Sequence, residues 1–119
     1  MFLQFFSGKQ PDVKLNPGRI LFIESEKADR AYIIDSGHIE LSVRSSELTT
    51  LSAGEIVGEM ALVDNRKRFA MAVAGPQGAF LHSINKNDFL KMVAENPDFA
   101  IEVMKVMAER LRKWGELFK

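Results

Sequence analysis

No cysteine occurs among the 119 residues. That excludes a disulfide framework, a thiolate nucleophile and any cysteine-ligated metal. Histidine is scarce as well: His38 and His82 stand apart, each in a strand-like stretch, with no partners at metal-ligand spacing. No Ser-His-Asp order and no evident acid/base carboxylate pair is present, so the chain is not expected to be an enzyme. Charge of one sign is lacking, because sixteen basic residues balance sixteen acidic ones. Such a balance exerts no global pull toward nucleic acid. No apolar run approaches the ~18 residues that a membrane-spanning helix needs. The opening MFLQFFSGKQ is apolar but short, and it lacks the basic leader of a signal peptide. A cytoplasmic chain without metal or membrane attachment is the expectation. At this length, residues 1–119 are expected to form one domain with a real core.

What the chain does contain is concentrated in Gly58 to Ala70, GEMALVDNRKRFA. A glycine permits close backbone approach to a ligand. A short helix starting there aims free N–H groups outward, toward an anion. An arginine ten residues after the glycine, Arg68, offers fixed guanidinium donors to a phosphate. Glu59 beside an anion makes sense only as an acceptor for hydroxyls on the same ligand. Phosphate and hydroxyl together suggest a sugar phosphate or a nucleotide. The alternative is a mutual Arg68–Glu59 ion pair closing an empty barrel mouth.

Around this stretch the text is β-like. Val13 and Leu15 alternate ahead of an Asn16-Pro17-Gly18 turn, and Ile20 to Ile23 is a short apolar strand. Glu24 to Asp29 is a charged loop, Ala31 to Ile34 a strand and Asp35-Ser36-Gly37 a turn. His38 to Val43 sets Ile39, Leu41 and Val43 on one face, Arg44 to Glu47 turns, and Leu48 to Leu51 returns. Ala70 to Ala74 and Ala79 to Ile84 are two more strands, joined by Gly75-Pro76-Gln77-Gly78. Short strands at this spacing indicate a sandwich, jelly roll or barrel. Phe2, Leu3, Phe5 and Phe6 must bury, in an N-terminal helical turn or in an interface.

The end of the chain is helical. Asn85 caps a helix over Lys86 to Ala94, with Asp88 in its first turn. Asn96-Pro97 starts a second, running from Asp98 to about Phe118. Ala100, Met104, Met107, Leu111, Trp114 and Phe118 fall at heptad-like steps beside a second stripe of Phe99, Val103 and Val106 that ends in Arg110. One stripe is expected to face the β core and the other a partner helix.

This order, together with GEMALVDNRKRFA, resembles the cyclic nucleotide-binding domain shared by the catabolite activator protein family, protein kinase A regulatory subunits and cyclic nucleotide-gated channels. The stretch looks like that family's phosphate-binding cassette. LNPGRILFIESEKADRAYIIDSGHIEL resembles its opening hairpins, LSAGEIVGE the approach to the cassette and NPDFAIEVMKVMAERLRKW the long helix after the barrel. The resemblance covers roughly residues 13–114. It implies a mainly β jelly-roll barrel (a double-stranded β-helix) over about 13–84, a short cassette helix, and C-terminal α-helices over about 86–118.

The resemblance also implies roles. Gly58, Glu59, Met60 and Ala61 would present amides to a cyclic phosphate, and Glu59 would accept from the ribose 2′-hydroxyl. Arg68 would pair with the phosphate oxygens, Ala70 would be the small residue after the variable position, and Val57 and Leu62 would line the sugar and base wall. The ligand implied is cAMP first and cGMP second, with no cofactor. Two readings of the last helix stand side by side. In one, Trp114 stacks on the base and Arg110 reaches back to Glu59 as a lid; in the other, Trp114 packs in a dimer seam or against the barrel. The implied mechanism is a ligand-driven movement of the C-terminal helices, read by an effector protein, in a homodimer paired through the last helix.

Two departures matter. Phe69 stands where the family has Ala, Ser or Thr, so its ring either flanks a base or plugs the pocket. Ser25 stands where a glycine is expected. The family's transcription factors continue into a winged helix-turn-helix, and these residues contain no recognition helix, so no nucleic acid is expected through this chain. The initial methionine is what a natural start would show. The expectation is a stand-alone sensor; the alternatives are a degenerate domain serving dimerisation or protein docking, and the sensor part of a truncated transcription regulator.

Overall fold

The computed structural model describes residues 2–64 and 66–118, the last two by backbone alone. A 3-10 helix, Phe2–Phe6, precedes the strands β1 (Val13–Leu15), β2 (Ile20–Phe22), β3 (Arg30–Val43), β4 (Ser46–Leu51) and β5 (Ile56–Val57). A second 3-10 helix, Glu59–Leu62, leads to β6 (Met71–Asn85), and the helices α1 (Lys86–Glu95) and α2 (Pro97–Trp114) follow. All pairings are antiparallel. β6 and β3 form the spine, with β1 and β2 on β6 and β4 and β5 on β3. The mainly β jelly-roll architecture with C-terminal helices is the one expected, with a ladder that does not close on itself.

The two long strands correct the reading of four short ones. Asp35-Ser36-Gly37 and Gly75-Pro76-Gln77-Gly78 do not end strands; they lie inside β3 and β6. The ladder continues from Arg30↔Asn85 to Ser42↔Met71, shifting register at Ile34/Ser36 and Gly37/Ile39. Gly37 and Gly78 explain this. Both have positive φ, 83° and 75°. A Cβ on Gly37 would lie 2.1 Å from the Gly78 carbonyl oxygen. The strands therefore bend against each other at a point where only glycine fits, and bulged strands bend without losing their partner.

Bending puts apolar residues on two inner faces. One cluster fills the roll with Phe22, Ile34, Ile39, Leu41, Val57 and Leu81. The other joins the roll to the helices through Ile33, Ile56, Leu62, Ile84, Phe99 and Val103. The N-terminal phenylalanines bury here as a helical turn. Phe2 and Phe5 meet the Phe99 ring edge-on at centroid distances of 5.8 and 5.0 Å. Phe6 stacks on His82 at 4.5 Å, and the His82 Nε2 lies 2.9 Å from Asp35 Oδ1.

Local signals start both helices. The Asp88 amide donates to the Asn85 side chain at 2.8 Å while the Asn85 amide donates to Asp88 at 3.0 Å, a reciprocal cap. Pro97 opens α2. The stripe of Phe99 and Val103 is buried toward the barrel. Of the other stripe, Met104 and Leu111 point outward, Met107 and Trp114 are half-buried, and the Phe118 side chain lies outside the described residues. Ile101 joins Met104 and Leu111 on the outer face. Among the described residues, no helix is long and apolar enough to cross a membrane.

Candidate functional site

The site begins where β5 ends. Val57 pairs with Tyr32 of β3, and the next residue, Gly58, turns the chain with φ 76° into Glu59–Leu62. The first N–H groups of any helix lack intrahelical partners; here the Ala61 amide donates to the Gly58 carbonyl at 3.2 Å and closes the turn, and the amides of Gly58, Glu59 and Met60 precede that bond.

Arg68 reaches this turn from the far end of the loop. Its backbone is fastened to the charged loop on both sides: the Arg68 amide donates to Glu26 O, and the Ser25 amide donates to Arg68 O, both at 2.8 Å. Ser25 holds φ 69°, the left-handed conformation in which glycine is at ease, which accounts for the glycine expected there. The Arg68 side chain lies over Gly58 so closely that a Cβ on Gly58 would sit 2.5 Å from Nη1. Nη2 donates to the Arg30 carbonyl at 2.7 Å, and the guanidinium rests 4.1 Å from the Phe22 ring centroid.

The electrostatics of that guanidinium are unfavourable. It is 8% exposed, and its Nε has no hydrogen-bond partner. Burial lowers its pKa from the ordinary arginine value, with Tyr32, Asp29, Glu26 and Glu59 opposing the shift. An unpartnered buried donor on a charged group costs about 1–3 kcal/mol or more. An anion against Nε would remove that cost.

Glu59 does not close the mouth by pairing with Arg68. It is buried, and its Oε1 accepts from Arg110 Nη1 of α2. Arg110 in turn lies 6.0 Å from the Trp114 ring. The last helix is therefore joined to the cassette turn by a largely buried ion pair at the edge of the cavity.

These groups surround one cavity of about 530 Å³, within the roughly 300–1,000 Å³ usual for small-ligand sites. Val57, Gly58, Glu59, Met60 and Ala61 line one side, and Arg68, Phe69 and Ala70 another. Arg110 and Trp114 line it from α2. Phe69 is a half-buried part of the wall and leaves the cavity open. Leu62 departs from expectation. It is not in the wall but in the cluster with Phe99 and Ile84, where its apolar side chain is 2% exposed. Phe22 and Leu41 enter the wall unannounced. The alternation in His38 to Val43 marked Leu41 as inward. Nothing local in Ile20 to Ile23 pointed Phe22 at Arg68, because their contact is made by the roll.

A family model for the cyclic nucleotide-binding domain matches residues 12–96. A CRP-like cAMP-activated global transcriptional regulator of Mycobacterium tuberculosis is 27% identical over 101 residues, 81% of this chain and 45% of that protein. The chain thus spans about half the length of that relative. Among solved structures, the Thermus thermophilus catabolite activator protein superposes with TM-score 0.76 at 27% identity, over 85% of this chain and 49% of that one. The cAMP-bound form of the EAL enzyme Bd1971 matches with TM-score 0.65 at 33% identity, over 85% of this chain and 28% of that one. Its cGMP-bound form matches with TM-score 0.62 at 34% identity, over 84% and 27%.

Proposed function

Because this chain belongs to the cyclic nucleotide-binding domain family, we propose that its cavity binds a 3′,5′-cyclic nucleotide, cAMP or cGMP, as a regulatory signal. One observation carries the reading: the buried Arg68 guanidinium, lying over Gly58 with Nε unpartnered. A cyclic phosphodiester carries one negative charge. It would sit between Nε and the amides of Gly58, Glu59 and Met60, beside Ala61, whose amide donates to the Gly58 carbonyl. The second oxygen of Glu59 would accept the ribose 2′-hydroxyl while Arg110 keeps the first. Val57 and Ala70 would bound the sugar, and Phe69 and Trp114 the base.

The relay would run through α2. Arg110 ties that helix to Glu59, the residue given the ribose, so filling the cavity changes what holds α2 in place. A ligand shifts this equilibrium only by its differential affinity for the two helix positions. Ile101, Met104 and Leu111 are exposed on the outer face of α2, at 49, 53 and 59%. That row would pair with the same row of a second copy in a parallel homodimer, from which an effector protein reads the movement. The protein would work as a binding module and not as an enzyme.

Thermal unfolding with millimolar cAMP tests the reading. At a ligand concentration of 100 Kd binding adds about 2.7 kcal/mol to the stability, which for a domain of this size is a rise of about 10 °C. Wild type is expected to show the rise and Arg68→Ala to lose it. No rise with cAMP or cGMP, or an equal rise in Arg68→Ala, would overturn the assignment.

A further inference from the structure

We infer that this site is general for purine 3′,5′-cyclic nucleotides, holding adenine and guanine with closely similar affinity and pyrimidines less tightly. The inference rests on the cyclic-nucleotide reading above and adds how the base is held.

Telling adenine from guanine requires fixed donors or acceptors at the base edge, since the two present different hydrogen-bonding groups on similar rings. Hydroxyl and carboxamide side chains are suited to that task. Among the described residues, no Ser, Thr, Tyr, Asn or Gln side chain lines the cavity. Of the charged groups in its wall, Arg68 and Glu59 are those given the phosphate and the ribose, and most already hold a partner. Arg68 Nη2 donates to the Arg30 carbonyl, Glu59 and Arg110 hold each other, and Asp64 accepts from the Arg66 amide. Arg66 and Lys67 also line the cavity, but from an exposed turn, where a long side chain reaching into solvent is not a fixed edge contact.

What remains for a base is an apolar wall and two rings. Phe22, Leu41 and Val57 belong to the buried roll interior, and Phe69 and Trp114 bring the aromatic faces. Stacking on an aromatic side chain tolerates any base, because every base has a π-face. The gain grows with the apolar area covered, so a bicyclic purine is held more tightly than a pyrimidine.

Isothermal titration of the whole chain with cAMP, cGMP and 3′,5′-cUMP tests this. The two purine Kd values are expected within about tenfold of each other, and cUMP about tenfold or more weaker than both. Trp114→Ala is expected to weaken both purines by about fivefold or more while keeping their ratio within that tenfold. Asn65, a carboxamide outside the described residues, supplies a control: Asn65→Ala is expected to keep the ratio within the same range. A wild-type purine ratio above about tenfold signals a fixed edge contact and overturns the inference. So does a ratio that changes beyond that range in Asn65→Ala, undiminished binding in Trp114→Ala, or cUMP as tight as the purines. In those cases the cyclic-nucleotide reading stands. Binding of none of the three removes that reading, and the inference with it.

Discussion

Removing Arg110 should unfasten α2 from the cassette turn, and the size of the effect follows from burial. The side chains of Arg110 and Glu59 are only 11% and 5% exposed. Arg110→Met would leave the Glu59 carboxylate buried without its cation. Breaking one side of a buried pair costs about 3–5 kcal/mol, whereas replacing both partners by neutral groups is often near neutral. Because this pair sits at the rim of an open cavity, where water can reach it, the low end applies, about 3 kcal/mol. That corresponds to a fall in Tm of about 12 °C for a domain of this size. Glu59→Gln should cost less, about 1–2 kcal/mol, since the long Arg110 side chain can turn to solvent. The double variant Glu59→Gln/Arg110→Met should be more stable than the sum of the two losses predicts, with a coupling of at least about 1 kcal/mol. Urea unfolding of wild type and the three variants, followed by circular dichroism at neutral pH, measures all four stabilities. A loss below about 1 kcal/mol in Arg110→Met, or strict additivity in the double variant, would refute the reasoning. The pair would then hold nothing, and the relay through Arg110 would lose its physical basis.

Three other outcomes follow from the same structure. Phe69→Ala should weaken cAMP by about fivefold or more if the ring is wall and stacking surface; tighter binding on titration would identify a plug instead. Gly37→Ala should destabilise the fold by more than the roughly 1 kcal/mol of a left-handed alanine, because its Cβ would also meet the Gly78 carbonyl oxygen at 2.1 Å; unchanged thermal stability would contradict the close strand crossing. Asp12 is affected most by burial, which raises its pKa, but hydrogen bonds from the Ser83 hydroxyl and amide, joined by its own amide and by His82, outweigh burial and leave it below the usual carboxylate value. A depressed folded pKa contributes stability above the unfolded value and loses it as the pH falls through the folded one. Asp12→Asn should therefore flatten the loss of stability below about pH 4; an unchanged acid limb in pH-dependent unfolding would count against it.

The cassette was legible in the sequence because its chemistry is local: a glycine, an acid beside it and an arginine ten residues on. The helix starts were legible for the same reason, since Asn85 and Asp88 cap each other across a single turn. Strand continuity was not. Gly37 and Gly78 read as turn residues one at a time, and only their crossing shows that each bends a strand that goes on. Partners distant in sequence were equally hidden. No pattern near Phe22 announces that it supports the Arg68 guanidinium. Leu62 carries no mark to choose the aromatic cluster over the cavity wall. Glu59 and Arg68 look like natural partners in the sequence, yet the roll sends Arg68 to the Arg30 carbonyl and α2 brings Arg110 to Glu59.

The central claim, that Arg68 and the turn at Gly58 hold a cyclic phosphate, is tested most directly by nuclear magnetic resonance of the nitrogen-15-labelled protein during a cAMP titration. The Arg68 Nε–H, buried and unpartnered in this structure, is predicted to move downfield as it gains a phosphate oxygen, together with the amides of Gly58, Glu59 and Met60. Saturating cAMP that leaves Arg68 Nε–H and those three amides in place would contradict it.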